Sequence, residues 1–174
     1  MAQKQRGFSL IELLVAIAII LIIAAIVIPN LLSSRQRANE AAAVSTLRTL
    51  NTSEATYNTS YGDLVGYANR LVLLGPSTTT CDQTHACLID NLLACASEPC
   101  LRGAYNYFAT SDSGSAPFLN YAITATPLTF NGTGTRNFCT SEEGTVRFQV
   151  GGNASLTSPV LPSVCINFAT YDSL

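Results

Sequence analysis

Lysine is almost missing from this chain: Lys4 is the only one among 174 residues. Arginine does not make up the deficit, because lysine and arginine together number 9 against 11 acidic residues. Binding to nucleic acid needs cations clustered along the phosphate backbone, so no nucleic-acid partner is expected. Histidine is as scarce, with His85 alone, which leaves general acid–base and nucleophilic chemistry few candidates. The adjacent carboxylates Glu142 and Glu143 fall between two strand-like runs, where a solvated turn is expected. The chain also lacks a Gly-rich phosphate loop, a Cys-x-x-Cys pair and a Cys-x-x-Cys-His motif. Phosphate cradles, thioredoxin-like redox sites and haem attachment are thereby set aside. No cofactor and no catalytic residues are expected, and the chain reads as a non-enzyme.

A second absence is local. From Leu13 to Ser34 there is no charge of either sign, and the next cation is Arg35. Phe8 to Ile28 is 21 residues long, about 31 Å as a helix at ~1.5 Å per residue, enough to cross the hydrocarbon of a bilayer. A secretory signal peptide has a shorter apolar core with a small-residue cleavage site behind it. Here the only plausible cut lies in front, between Gly7 and Phe8, so the apolar segment is expected to stay on the mature chain. The leader cations Lys4 and Arg6 precede the span, which places the amino terminus in the cytoplasm and the remainder outside, although Arg35 and Arg37 weakly oppose this. Glu12 is the anomaly. A carboxylate at the centre of a spanning helix costs at least ~2.5 kcal/mol, and such a residue is read as functional with a partner to be found. Nothing basic lies within helical reach on its C-terminal side. The nearest available cation is the amino group that cleavage before Phe8 would create.

The run Arg6-Gly7-Phe8-Ser9-Leu10-Ile11-Glu12-Leu13-Leu14-Val15 resembles the processing and assembly signal of class A type IV pilins and type II secretion pseudopilins. The resemblance continues through Ile28-Pro29-Asn30 and covers Arg6 to about Tyr61. Beyond it, only Gly134-Thr135-Arg136-Asn137-Phe138 and Glu143-Gly144-Thr145-Val146-Arg147 are similar to a pattern of some pilin-like heads. The resemblance implies a pilin fold of the α+β class, a long N-terminal helix packed on a small antiparallel sheet. It implies that a membrane peptidase cuts after Gly7 and methylates the Phe8 amine. It further implies assembly at the bacterial inner membrane by a platform protein and a cytoplasmic ATPase, exit through an outer-membrane secretin, and a homo-oligomeric helical filament with Glu12 as its register charge.

The expected organisation has four parts: a leader at 1–7, a transmembrane or filament-core helix at 8–28, an amphipathic continuation at 29–61, and a globular head at 62–174. Leu31 to Tyr61 is rich in helix formers. Ala43, Leu47, Leu50, Tyr57 and Tyr61 follow three- and four-residue steps if Glu54 occupies the missing turn, giving one face to bury. One helix is expected from about Phe8 to about Ser60, kinked or locally melted at Pro29 and stopped by Gly62. Between Gly62 and Arg102 little strand is expected, with a short helix over His85 to Ser97 because Leu88, Ile89, Leu92 and Leu93 have helical spacing. Strands are expected at Ala104–Thr110, Asn120–Pro127, Asn137–Thr140 and Thr145–Val150, the last two paired across Ser141 to Gly144. Tyr105, Tyr107 and Tyr121 are read as packing residues of that four-stranded sheet. Gly151 to Ser163 reads as loop. The Asn-x-Ser/Thr sequons at Asn51, Asn58, Asn131 and Asn153 are read as chance matches in a Ser- and Thr-rich chain.

Cys81, Cys87, Cys95, Cys100, Cys139 and Cys165 all follow the span, on the expected external side, where an even count suggests disulfides. Six cysteines allow 15 pairings. The preferred set is Cys81–Cys87 and Cys95–Cys100, whose short loops close at little entropic cost, with Cys139–Cys165 pinning the loop after the last strand. The third bridge resembles the C-terminal disulfide loop of many pilins. The alternative is zinc, because His85 sits between Cys81 and Cys87, but structural zinc usually uses closer, repeated cysteine spacings, and no metal is preferred.

Three functions remain. The first is a pilin that polymerises into a type IV pilus-like filament, stored in the inner membrane with its head in the periplasm and then assembled on the cell surface. The second is a pseudopilin of a type II secretion system. That family's calcium loop near the C-terminus needs acidic side chains, whereas Gly151 to Leu174 holds only Asp172. The third is a monomeric periplasmic binding or redox domain on a signal anchor, which leaves Glu12 and the Gly7–Phe8 junction without a reason.

Overall fold

A computed structural model describes residues 8–149, 155–167 and 172–173. The expected leader at 1–7, the end of the last expected strand at Val150 and the sequon at Asn153 lie outside the described residues. The chain divides into two compact units, one ending at Arg35 and one running from Gln36 to Leu174.

The first unit is helical. Helix α1 is assigned from Leu10 to Val65, and its residues up to Arg35 make up this unit. Its apolar side chains, Leu10, Ile11, Leu13 and onward to Leu32, stand exposed. It is long and apolar enough to cross a membrane by length and composition. The helical assignment runs on through position 29.

In the second unit the rest of α1 buries the face that its spacing predicts. Ala43, Leu47, Leu50 and Tyr57 are buried, and Glu54 fills the missing turn at 0% exposure. The helix does not stop at Gly62. It passes through to Val65 and ends at Gly66, whose φ of +75° is the left-handed conformation that glycine adopts without a steric cost. A Cβ on Gly66 would lie 2.1 Å from the Phe118 carbonyl oxygen, so the position tolerates no side chain. A Cβ on Gly62 would meet only the Asn58 side chain. Gly66 is therefore the stop, selected by a neighbour far along the chain.

A 3-10 turn follows at Leu71–Leu74. The helix expected over His85–Ser97 is absent, and the segment is a string of turns. Its apolar residues still turn inward, with Leu93 buried. The backbone, however, hydrogen-bonds elsewhere: the N–H groups of Ala86, Leu88 and Ile89 donate to the carbonyls of Leu73 and Leu74. The Asp90 carboxylate accepts the N–H groups of Leu92 and Leu93, an aspartate turn that competes with helix.

The sheet has six strands instead of four: β1 (Cys100–Arg102), β2 (Tyr105–Thr110), β3 (Ala122–Pro127), β4 (Asn137–Ser141), β5 (Val146–Gln149) and β6 (Asp172–Ser173). Each pairs antiparallel with its chain neighbour, in spatial order one to six. The two extra strands are edge strands of three and two residues, too short to leave a period in the sequence. Strands β3 and β4 are buried on both faces. Ile123, Ala125 and Phe138 join the core that includes the α1 residues. Ala122 and Cys139 pack on the other side against Val160, Cys165 and Leu156 of a C-terminal strap. The strap is laced to the sheet by side chains, the N–H of Val160 donating to Thr124 Oγ1 (2.9 Å) and that of Leu156 to Thr126 Oγ1 (2.7 Å). It closes with the one-turn helix α2 (Pro162–Cys165).

Candidate functional site

At the start of α1 the Glu12 carboxylate accepts the backbone N–H of Ser9 at 2.9 Å. Ser9 in turn accepts the first backbone N–H groups of the helix, from Glu12 at 3.1 Å and Leu13 at 3.3 Å. A serine at the cap with a glutamate three residues on is the capping-box pattern, in which the carboxylate reaches back to the cap's own N–H. The positive end of the helix dipole favours a negative charge there as well. From the sequence Glu12 reads as a register charge whose partner is the Phe8 amine; Ser-x-x-Glu ahead of an apolar run is the legible sign of its second role. Around it stand Ile11, Val15, Ala16 and Ile19, a purely apolar surround. Phe8 is 88% exposed. Among the described residues no cation lies within ion-pair distance of Glu12. The site is a carboxylate held at the tip of an exposed apolar helix, four residues after Phe8. Gly7, the other half of the expected cleavage site, lies outside the described residues.

In the second unit, carboxylates serve as fasteners. Glu40 on α1 accepts the N–H and hydroxyl of Thr135 through Oε1, and Nε and Nη2 of Arg136 through Oε2, at 2.7–2.9 Å. Burial pushes its pKa up, but the Thr135 and Arg136 donors outweigh burial and hold it below the usual carboxylate value. The Arg136 guanidinium also lies over the rings of Phe138 and Phe148, at 5.5 and 5.0 Å from their centroids. Gln36 and Asn39 add hydrogen bonds to the carbonyls of Asn131 and Thr133. Thr135 and Arg136 belong to the stretch whose pattern is similar to that of pilin-like heads. Their partner on the helix, 95 residues earlier, left no mark in the sequence. Glu98 is raised by burial and opposed by the N–H groups of Ala109 and Leu71, which it joins. Glu54 is raised by burial to about 8, offset in part by the Ala68 N–H that donates to Oε2 at 2.9 Å.

The cysteines are brought together as Cys81–Cys87, Cys95–Cys100 and Cys139–Cys165, with Cα separations of 5.6, 5.4 and 5.9 Å. These bonds consume the thiolates that zinc would need, and His85 Nδ1 lies 3.2 Å from Thr84 Oγ1 instead. Asn51 is locked by Thr140, Gly144 and Tyr121. An open cleft of about 270 Å³ between α1 and the β1–β2 turn is lined by Asn39, Ala42, Thr46, Arg102 and Tyr105 among others, with no acid–base pair facing it.

Residues 2–28 match the family model described as the prokaryotic N-terminal methylation motif. Over part of its length the chain is similar to type IV pilins and type II secretion pseudopilins. Over 82 residues it is 37% identical to the type IV wide pilus major component PilA4 of Thermus thermophilus, covering 47% of this chain and 63% of that protein. Over 68 residues it is 35% identical to the type IV major pilin PilA of Myxococcus xanthus, covering 39% and 31%. Over 42 residues it is 48% identical to the type II secretion system core protein G of Escherichia coli, covering 24% and 29%. The matched stretch thus spans less than two thirds of each of these relatives. No solved structure matches significantly. The pilin-like architecture, a long N-terminal helix on an antiparallel sheet, agrees with these likenesses.

Proposed function

We propose that this chain is a structural subunit, processed between Gly7 and Phe8, methylated on the Phe8 amine, and assembled into a pilus-like filament. The observation that carries the proposal is Glu12, a carboxylate exposed on an apolar helix whose start is a peptidase-type junction. Before assembly, the apolar helix lies in the inner membrane with the head in the periplasm. In the filament it packs against copies of itself. Lipid is already as apolar as leucine, so close packing and polar pairing must drive that transfer. The Glu12 carboxylate then meets the Phe8 amine of a neighbouring subunit, and a buried charge left alone in any other register is heavily penalised. A peptidase–methyltransferase, a platform protein, an ATPase and an outer-membrane secretin are the machinery of this route. The chain itself performs no chemistry.

The pseudopilus is the second reading, supported by the match to type II secretion core protein G. That match covers 42 residues of the chain and the match to the wide-pilus component 82, so likeness to the pilus protein takes in more of the chain.

The test is Glu12→Val expressed as the sole copy. Membrane insertion, cleavage after Gly7 and head folding should persist, because none of them uses the charge, while sheared filaments should disappear from the cell surface. Normal filament yield from this variant would overturn charge pairing as the source of register.

A further inference from the structure

We propose that the Cys81–Cys87 bridge is a thiol–disulfide exchange site, the staple that an external dithiol opens while the rest of the head stays folded. The inference uses the geometry of the head alone and does not rest on the filament reading.

The three bridges differ first in access. Cys139 and Cys165 are both 0% exposed, sealed between the sheet and the strap. In the second bridge Cys95 is half-buried and Cys100 is 0% exposed, its sulfur accepting the Cys95 N–H at 3.2 Å, so only one of its sulfurs has partial access. Cys81 and Cys87 are both exposed. Exchange begins with a thiolate attacking a disulfide sulfur, so an open bridge reacts and a sealed one does not.

They differ second in backbone conformation. Cys87 has a φ of 57°, a left-handed conformation that places Cβ against the carbonyl and that few side-chain-bearing residues adopt. Its place is enforced by the bridge and by its own N–H, which donates to the Gly75 carbonyl at 2.8 Å. Opening the bridge removes one of these two constraints, so reduction is favoured by relief at Cys87.

The surroundings show why the fold survives. The N–H groups of Ala86, Leu88 and Ile89 hold the following segment to Leu73 and Leu74 without the bridge. Inside the ring, Asp82 and His85 exchange backbone hydrogen bonds at 3.1 and 3.2 Å. The Asp82 carboxylate accepts the Thr84 N–H, the Thr84 hydroxyl and the His85 N–H. The turn is therefore held by its own polar groups. What loosens is its seating on α1, where the Tyr57 hydroxyl donates to the Gln83 carbonyl at 2.6 Å.

The chemistry is a two-electron transfer. A reductant thiolate attacks one sulfur of the pair, a mixed disulfide forms, and the other cysteine leaves as a thiolate. The second sulfur of the dithiol then displaces the first cysteine, leaving two protein thiols after protonation from water and an oxidised dithiol. The partner is a dithiol, either a small molecule or one carried by a disulfide-exchange protein.

The test treats the oxidised full chain in detergent with limiting dithiothreitol, and in a parallel arm with reduced thioredoxin. Iodoacetamide then traps the thiols for peptide mapping. Cys81 and Cys87 should be labelled at least about tenfold faster than the other four, as access dictates, with the far-UV spectrum unchanged. First labelling at Cys95 and Cys100 or at Cys139 and Cys165, or all six together, overturns the proposal. Opening by dithiothreitol but not by thioredoxin supports the site and assigns it to small dithiols. The double variant Cys81→Ser with Cys87→Ser should fold and lose the early label; failure to fold overturns the claim that the head stays closed without this bridge.

Discussion

Replacing Glu54 with glutamine should change the slope of stability against pH. In the folded chain this carboxyl is fully buried, receives the Ala68 N–H on Oε2, and has no hydrogen-bond partner on Oε1. The nearby groups that could influence it are phenols: Tyr57 from α1, pushed up to about 12, and Tyr121 from the residue before β3, pushed higher still, both raised first by burial and then by Glu54 itself. Neither offers a positive charge. Burial therefore keeps the proton on Glu54 up to a pH of about 8, against an ordinary value of 4.5. In the unfolded chain the proton leaves near the ordinary value. Between these limits the folded state binds more protons than the unfolded one, so stability is greatest below about 4.5 and falls as pH rises towards about 8. One proton corresponds to a little over 1 kcal/mol per pH unit, so between pH 5 and pH 7 the wild type should lose about 3 kcal/mol relative to the variant. For a head of this size that amounts to about 10 °C in Tm. Glutamine keeps an oxygen for the Ala68 N–H and cannot ionise. Its extra amide donors add a cost that does not vary with pH, so the slope difference, and not the offset, is the readout. Thermal melts followed by circular dichroism at pH 5, 6, 7 and 8 measure it, with the background from Glu40 and Glu98 common to both proteins. Parallel curves for wild type and Glu54→Gln would refute the reasoning.

Glu40 should respond with the opposite sign. Its folded pKa is lowered, so its contribution is present above the ordinary carboxylate value and lost as pH falls through the folded one. Glu40→Gln should cost about 1.5–3 kcal/mol in denaturant unfolding at pH 7, the range for hydrogen bonds to charged groups. The deficit should close in acid; a deficit independent of pH would show that shape, not charge, makes the fastening. Intact-mass measurement of the protein from its native membrane should show a chain starting at Phe8 and carrying one added methyl group, and a chain that retains Lys4 would contradict the processing reading.

The sequence showed the parts of this molecule that are written in local patterns. The helical face from Ala43 to Tyr57 follows from spacing, and β2 to β5 from runs of strand-forming residues between turns. The cysteine spacing favoured two short rings, and their pairing is the one the structure contains. Features that depend on distant partners stayed hidden. Gly62 and Gly66 look alike in sequence, and only the Phe118 backbone distinguishes them. Glu40 is one more acid on a helix until Thr135 and Arg136 come within reach of it. Leu88, Ile89, Leu92 and Leu93 have helical spacing, yet Asp90 and the carbonyls of Leu73 and Leu74 take the hydrogen bonds a helix would need. Of the candidate site, Phe8 is readable because it opens the apolar run behind a basic leader, Glu12 because it interrupts that run, and the Ser9 cap because it stands three residues before Glu12.

The meander has a consequence for the order in which the head can form. Every strand pairs with the strand next to it in the chain, and the longest disulfide loop separates its cysteines by 26 positions. Such pairings close short loops and carry a small entropic barrier, so the sheet can zip from β1 onward as chain becomes available. The helix does not share that advantage. Ala43, Leu47, Leu50 and Tyr57 find their cover in Tyr105, Ile123 and Phe138, and Glu40 waits 95 positions for Thr135. Until β2 and β3 arrive α1 carries a bare apolar face, and until Thr135 and Arg136 arrive an unclaimed carboxylate. A chain arrested before Tyr105 would therefore leave this whole face bare, and its protection from aggregation must come from speed of delivery or from a temporary cover.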